Sequence, residues 1–113
     1  MKLLHNPRCS KSREALTALE AAGHSPEVWR YLDEPLTEPQ IRELLSQLGI
    51  APLALVRSKE DLWRELSAGK TLSDNDIIAL LASHPKLIER PILIHNGKAA
   101  IGRPLENILE LLK

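Results

Sequence analysis

Phenylalanine is absent from this 113-residue chain, and the aromatic residues are Trp29, Tyr31 and Trp63 alone. Leu, Ile and Ala must therefore build the core, and the aromatic platforms on which single-stranded nucleic acids stack are not to be expected. Net charge is lacking too, since 15 basic side chains balance 15 acidic ones. That balance supplies no bulk pull toward nucleic acid or acidic membranes. The longest apolar run, Ile77 to Ala82, falls far short of the roughly 20 residues a membrane span needs. The start, Met-Lys-Leu-Leu-His-Asn-Pro, is too poor in apolar residues for a signal peptide. A single cysteine, Cys9, excludes an internal disulfide and a cysteine-built zinc site. His5, His24, His84 and His95 show no metal-ligand spacing, and no glycine-rich phosphate loop is present. The expectation is a protein of the reducing cytoplasm without bound metal, nucleic acid or membrane, and monomeric.

What is present is ordinary for one soluble domain: 43% apolar and 27% charged residues, with no repeat. Lys2 to His5 reads as a strand stopped by Asn6-Pro7. Ala15, Leu16, Leu19 and Ala22 have helical spacing, with Gly23 as the stop. Val28 to Leu32 reads as a second strand, parallel to the first through a right-handed crossover. A helical middle follows. Thr37 and Gln40 have capping-box spacing ahead of Ile41, Leu44, Leu45 and Leu48. Ser58 with Asp61 is expected to open a second helix, and Ser73 a third that Pro85 ends. Asn96-Gly97 between two short apolar runs predicts a hairpin, and Pro104 fits the first position of a last helix. The order β-α-β, helical insertion (about 34–88), β-β-α predicts one thioredoxin-like α/β domain over 1–113, with a mixed four-stranded sheet and helices on both faces. Trp29 and Trp63 are expected in the core.

Cys9 falls where the first strand passes into the first helix. The free N–H groups of the first turn and the helix dipole both favour thiolate there. At a free pKa of about 8.5 roughly 3% of a thiol is ionised at pH 7, against roughly 75% at a pKa of about 6.5. Free cysteines are often small buried apolar residues, but Asn, Pro, Arg, Ser and Lys are the wrong neighbours for that. His5 lies close by at the strand end. Ser12 is either a common first-turn polar residue or a hydroxyl bonded to the sulfur. Arg57, Arg90 and Arg103 stand at segment boundaries, where guanidinium forks suit a tetrahedral oxyanion. Spacing alone favours a solvated charge for Arg57 and leaves Arg90 and Arg103 balanced between cage and surface. Pro91, at a tight entry into a strand, is a candidate for a cis bond. The pattern Cys-x-x-Ser has no resolving thiol, so an intermediate on Cys9 needs an outside one.

The runs His5-Asn6-Pro7-Arg8-Cys9-Ser10-Lys11-Ser12-Arg13, Leu55-Val56-Arg57, Glu89-Arg90-Pro91-Ile92 and Gly102-Arg103-Pro104 together resemble the glutaredoxin-dependent arsenate reductase family. The resemblance spans essentially the whole chain. It implies a thioredoxin-like fold, Cys9 as the nucleophile toward arsenate, His5 as electrostatic support of the thiolate, and Ser12 as a hydroxyl bonded to the sulfur. It further implies that Arg57, Arg90 and Arg103 hold the oxyanion, with glutathione as co-substrate and glutaredoxin as partner. Two other readings stay open. One is a glutathione-linked thiol transferase without arsenate specificity. The other is a regulator similar to Spx-type proteins that binds RNA polymerase; those usually carry Cys-x-x-Cys, which Ser12 argues against.

Overall fold

A computed structural model describes residues 1–113. The chain divides into two compact units, Met1–Glu34 with Arg90–Lys113, and Pro35–Glu89.

The first unit holds the sheet. Its strands are β1 (Lys2–Leu4), β2 (Glu27–Trp29), β3 (Ile92–His95) and β4 (Lys98–Ile101), in the order β2-β1-β3-β4. β1 pairs parallel to β2 and antiparallel to β3, and β3 pairs antiparallel to β4. The register sets Leu3 opposite Leu93 and Leu4 opposite Ile92. Because side chains alternate between faces along a strand, these are two separate apolar rows. The Leu3–Leu93 row is covered by α1 (Ser10–Ala21) through Ala15 and Leu19, and by α5 (Glu106–Leu111) through Ile108. Leu4 and Ile92, on the other face, are fully buried as well.

Local chemistry explains the borders. α1 ends in a paired cap: Gly23 at φ +86° donates to the Glu20 carbonyl, and His24 donates to that of Leu19. Asn96 and Gly97 have φ of 51° and 75°, the two left-handed residues of a type I′ hairpin turn. The second strand ends earlier than its sequence suggests. Arg30 turns the chain by accepting at its carbonyl from Asp33 and Glu34. Trp29 is only half-buried: Lys2 lies over its ring at 5.6 Å, and its Nε1 donates to the Glu34 carbonyl. Pro104 does not start the last helix. Its carbonyl accepts from Asn107 in the preceding turn, and α5 begins at Glu106.

The second unit is helical: α2 (Glu38–Leu48), α3 (Asp61–Ser67) and α4 (Asp74–Ser83), with short 3-10 turns at Pro52–Leu55 and Pro85–Leu87. Thr37 with Gln40, and Ser73 with Asp76, form complete capping boxes. Ser58 does not cap α3; it sits in the preceding turn, and Glu60 holds the cap position. Ile41, Leu44 and Leu45 of α2 and Ile77, Ile78 and Leu81 of α4 are buried, and so is Trp63. No helix is long and apolar enough to cross a membrane.

Candidate active site

The segment His5–Ser12 is tied down by its own backbone before any side chain reaches the sulfur. The Asn6 carbonyl accepts from the Cys9 N–H at 3.0 Å. Asn6 Oδ1 accepts from the Arg8 N–H at 3.0 Å, closing a side-chain turn. From the helix side, Arg13 Nη1 donates to the Pro7 carbonyl at 3.0 Å. Cys9 is thereby fixed in extended conformation at the N-cap of α1, half-buried and reduced. Arg8, next to it, is exposed.

Ser12 lies on the buried stripe of α1 with Ala15 and Leu19. A hydroxyl buried there must find partners or cost free energy. It finds two: the Asn6 N–H donates to Oγ at 3.0 Å, and His5 Nδ1 lies 2.7 Å away. This differs from the role the resemblance implies, in which the Ser12 hydroxyl bonds the sulfur. Ser12 acts on Cys9 through its backbone N–H instead. Burial, with Arg30 and Arg13 nearby, lowers the His5 pKa and favours the neutral ring. Its part is to hold Ser12.

The charge comes from the other end of the sheet unit. β1 ends beside the start of β3, so the segment leading into β3 passes the start of α1. The Arg90–Pro91 bond in that segment is cis. Arg103, two residues beyond β4, reaches Cys9 Sγ with Nη2 at 3.7 Å and donates from Nε to the Arg90 carbonyl at 2.8 Å. Burial pushes the Cys9 thiol up. The Ser12 N–H, the Arg90 charge, the Lys11 N–H and a hydrogen bond from Arg90 outweigh it and bring the pKa below its ordinary value. The sulfur makes no regular capping bond, so the two N–H groups act as dipoles aimed at an anion. A cavity of about 420 Å³ flanks Arg103, lined also by Lys11, Glu14, Pro104 and Glu106.

Arg57 belongs to the helical unit. There its N–H donates to the Leu87 carbonyl at 2.7 Å and its Nη2 pairs with Glu60 at 2.8 Å. His24 and His84 are part-exposed at helix ends, and His95 Nε2 faces Asn96 at the hairpin. No group of three or more His, Cys, Asp or Glu is placed to hold a metal. Asn6, Arg30 and Gly102 shape the site and were not singled out from the sequence. The Asn-Pro pair ahead of a helix is the only one of these with a local signature.

A β-α-β unit with its lone thiol at the first helix start, completed by a β-β-α unit whose loops carry two arginines toward that thiol, defines a thioredoxin-like protein of single-cysteine type. More narrowly, the chain belongs to the ArsC family, whose profile matches residues 4–111. A curated protein named arsenate reductase from Neisseria meningitidis serogroup A is 47% identical over 114 residues, covering 99% of this chain and 97% of that one. An Escherichia coli K12 protein named uncharacterized protein YfgD is 48% identical over 114 residues, covering 99% and 96%. The solved structure of an arsenate reductase from Vibrio cholerae matches with a TM-score of 0.92 at 47% identity, covering 96% of this chain and 94% of that one.

Proposed function

We propose that the protein reduces arsenate to arsenite through a covalent adduct on Cys9, with glutathione and glutaredoxin supplying the electrons. The observation that carries this reading is the placement of Arg103 Nη2 at 3.7 Å from Cys9 Sγ, on a sulfur that Arg90 also faces. Two guanidiniums on one thiolate suit a reaction in which an anionic nucleophile must meet an anionic substrate. Family membership and the names of the relatives support the choice of arsenate.

The Cys9 thiolate attacks arsenic, an arsenic–sulfur bond forms, and one arsenic-bound oxygen leaves as water after protonation. Arsenic is still pentavalent in this adduct. A glutathione thiolate then attacks the Cys9 sulfur. The arsenic–sulfur bond breaks with its electron pair going to arsenic, which leaves as trivalent arsenite. Cys9 and glutathione are left joined as a mixed disulfide, so two thiols have given the two electrons. With one cysteine in the chain, an outside thiol must clear that disulfide, and glutaredoxin does so. The family resemblance also offers Arg57 as an oxyanion-binding residue, and on that reading its removal is expected to raise the KM for arsenate. This chemistry calls for a reducing, cytoplasmic setting.

The test is arsenate-dependent turnover with glutathione and glutaredoxin supplied. The wild-type protein is expected to turn over and Cys9→Ser to be inactive. Turnover by Cys9→Ser overturns the adduct. A wild-type protein that acts only on a glutathione mixed disulfide is a thiol transferase instead.

A further inference from the structure

Gly102 differs from the other glycines of the chain. Gly23, Gly49, Gly69 and Gly97 all have positive φ, and a Cβ added to any of them would meet nothing within 4 Å. They are glycines for backbone conformation. Gly102 needs no left-handed φ but has no room: an added Cβ would lie 2.6 Å from Ile108 Cδ1, 3.0 Å from Pro91 Cγ and 3.3 Å from Ile108 Cγ1. The Ile108 Cδ1 contact is the prohibitive one, whereas Pro91 need give by only a few tenths of an ångström. Ile108 is fully buried in the cluster with Leu3, Ala15, Leu19 and Leu93. Pro91 offers a closed ring, itself buried, at the start of β3.

That slot joins the two arginine-bearing segments. The Gly102 N–H donates to the Pro91 carbonyl at 2.8 Å, and in the next residue Arg103 Nε donates to the Arg90 carbonyl at 2.8 Å. The two bonds lie one residue apart on both segments, just outside β3 and β4, and form a clasp. Arg103 Nη2 reaches Cys9 Sγ from that clasp. We propose that Gly102 is a positioning residue: by letting Ile108 and Pro91 close against the bare backbone, it sets the clasp that holds Arg103 and Arg90 on the Cys9 sulfur. A side chain at this position drives α5 and the Arg90–Pro91 segment apart, and the guanidiniums move with them. The proposal rests on the reading of Cys9 as an oxyanion-facing thiolate, but not on arsenate being the substrate.

The test reads the thiol rather than turnover. The pH dependence of Cys9 alkylation by iodoacetamide is measured for wild type, Gly102→Ala, and the double variant Gly102→Ala with Ile108→Val, which removes the Cδ1 in the way. Protection by sulfate is measured on the same samples. Gly102→Ala is expected to shift the alkylation midpoint to higher pH and to weaken sulfate protection at least threefold. The double variant is expected to return both to within twofold of wild type. A wild-type midpoint and protection in folded Gly102→Ala overturn the proposal, and so does a double variant that stays as impaired as the single one. If Gly102→Ala does not fold, the double variant decides alone: a wild-type midpoint supports the slot and a raised midpoint overturns it. A wild-type protein inactive on arsenate but showing this rescue would sink the proposed function and leave the slot standing.

Discussion

His5 Nδ1 and Ser12 Oγ stand 2.7 Å apart, and the same oxygen accepts from the Asn6 N–H at 3.0 Å. With a neutral ring, the Ser12 hydroxyl donates its proton to Nδ1 while its oxygen accepts from the Asn6 N–H. Protonating His5 forces Nδ1 to donate to Oγ and turns the hydroxyl proton away. Burial, then Arg30 and Arg13, hold the folded pKa below 6.5. The unfolded chain therefore binds this proton at a higher pH than the folded one, and stability must fall as pH drops below 6.5. Chemical denaturation of wild type and His5→Gln at pH 7.5 and pH 5.5 checks this. Wild type is expected to lose more stability between the two; an equal loss would show that His5 is not held neutral.

Removing either arginine should show on the sulfur directly. Arg90→Ala and Arg103→Ala are each expected to slow iodoacetamide alkylation of Cys9 at pH 6.5 severalfold, because Arg90 favours the thiolate by charge and hydrogen bond and Arg103 donates to the sulfur. Arg103→Lys should recover little. A single ammonium cannot both donate to the Arg90 carbonyl and keep a second donor on Sγ, as the guanidinium fork does. Unchanged alkylation rates in both alanine variants would remove the arginines from the account of the thiolate.

Much of this was legible in the residues because the signals were local. Asn96-Gly97 specifies its own turn, and Thr37 with Gln40 specifies its own cap, so the hairpin and the start of α2 fall where the sequence puts them. Cys9 at the start of a helix needs only the elements on either side of it. Ser58, Pro104 and the end of β2 are misplaced because nearby backbone bonds decided them: Glu60 to the Arg57 carbonyl, Asn107 to that of Pro104, and the Asp33 and Glu34 turn onto Arg30. The division of labour at the sulfur was not legible at all. Whether a hydroxyl reaches a sulfur or a histidine depends on which side of α1 faces the sheet, and that is set by Ala15 and Leu19 packing against Leu3 and Leu93.

The helical unit offers a control that leaves the thiol alone. Thr37 Oγ1 accepts from the Gln40 N–H, and Gln40 Oε1 accepts from the Thr37 N–H at 2.9 Å. Thr37→Ala removes the first bond and should cost about 1 kcal/mol. Urea denaturation should show that loss, with the Cys9 alkylation profile unchanged. A shifted profile would show that the thiol's environment depends on this cap.

The thiol itself should leave a mark on stability that grows with alkalinity. Burial raises its pKa, but the Ser12 N–H, the Arg90 charge, the Lys11 N–H and the Arg90 hydrogen bond bring the folded value below 9.0. Between the folded and unfolded values the unfolded chain holds a proton that the folded chain has released, so raising the pH favours folding. The contribution is complete above the unfolded value and vanishes as pH falls through the folded value. Serine does not titrate in this range, so Cys9→Ser removes the effect while keeping a side chain of similar size. Denaturation of both proteins under reducing conditions, from pH 6 to pH 9.5, isolates it. The stability of wild type relative to Cys9→Ser should climb with pH and level off near the upper end. A difference that stays flat or shrinks would mean the folded protein holds the proton as firmly as the unfolded chain does, and no anionic nucleophile would be waiting for an oxyanion.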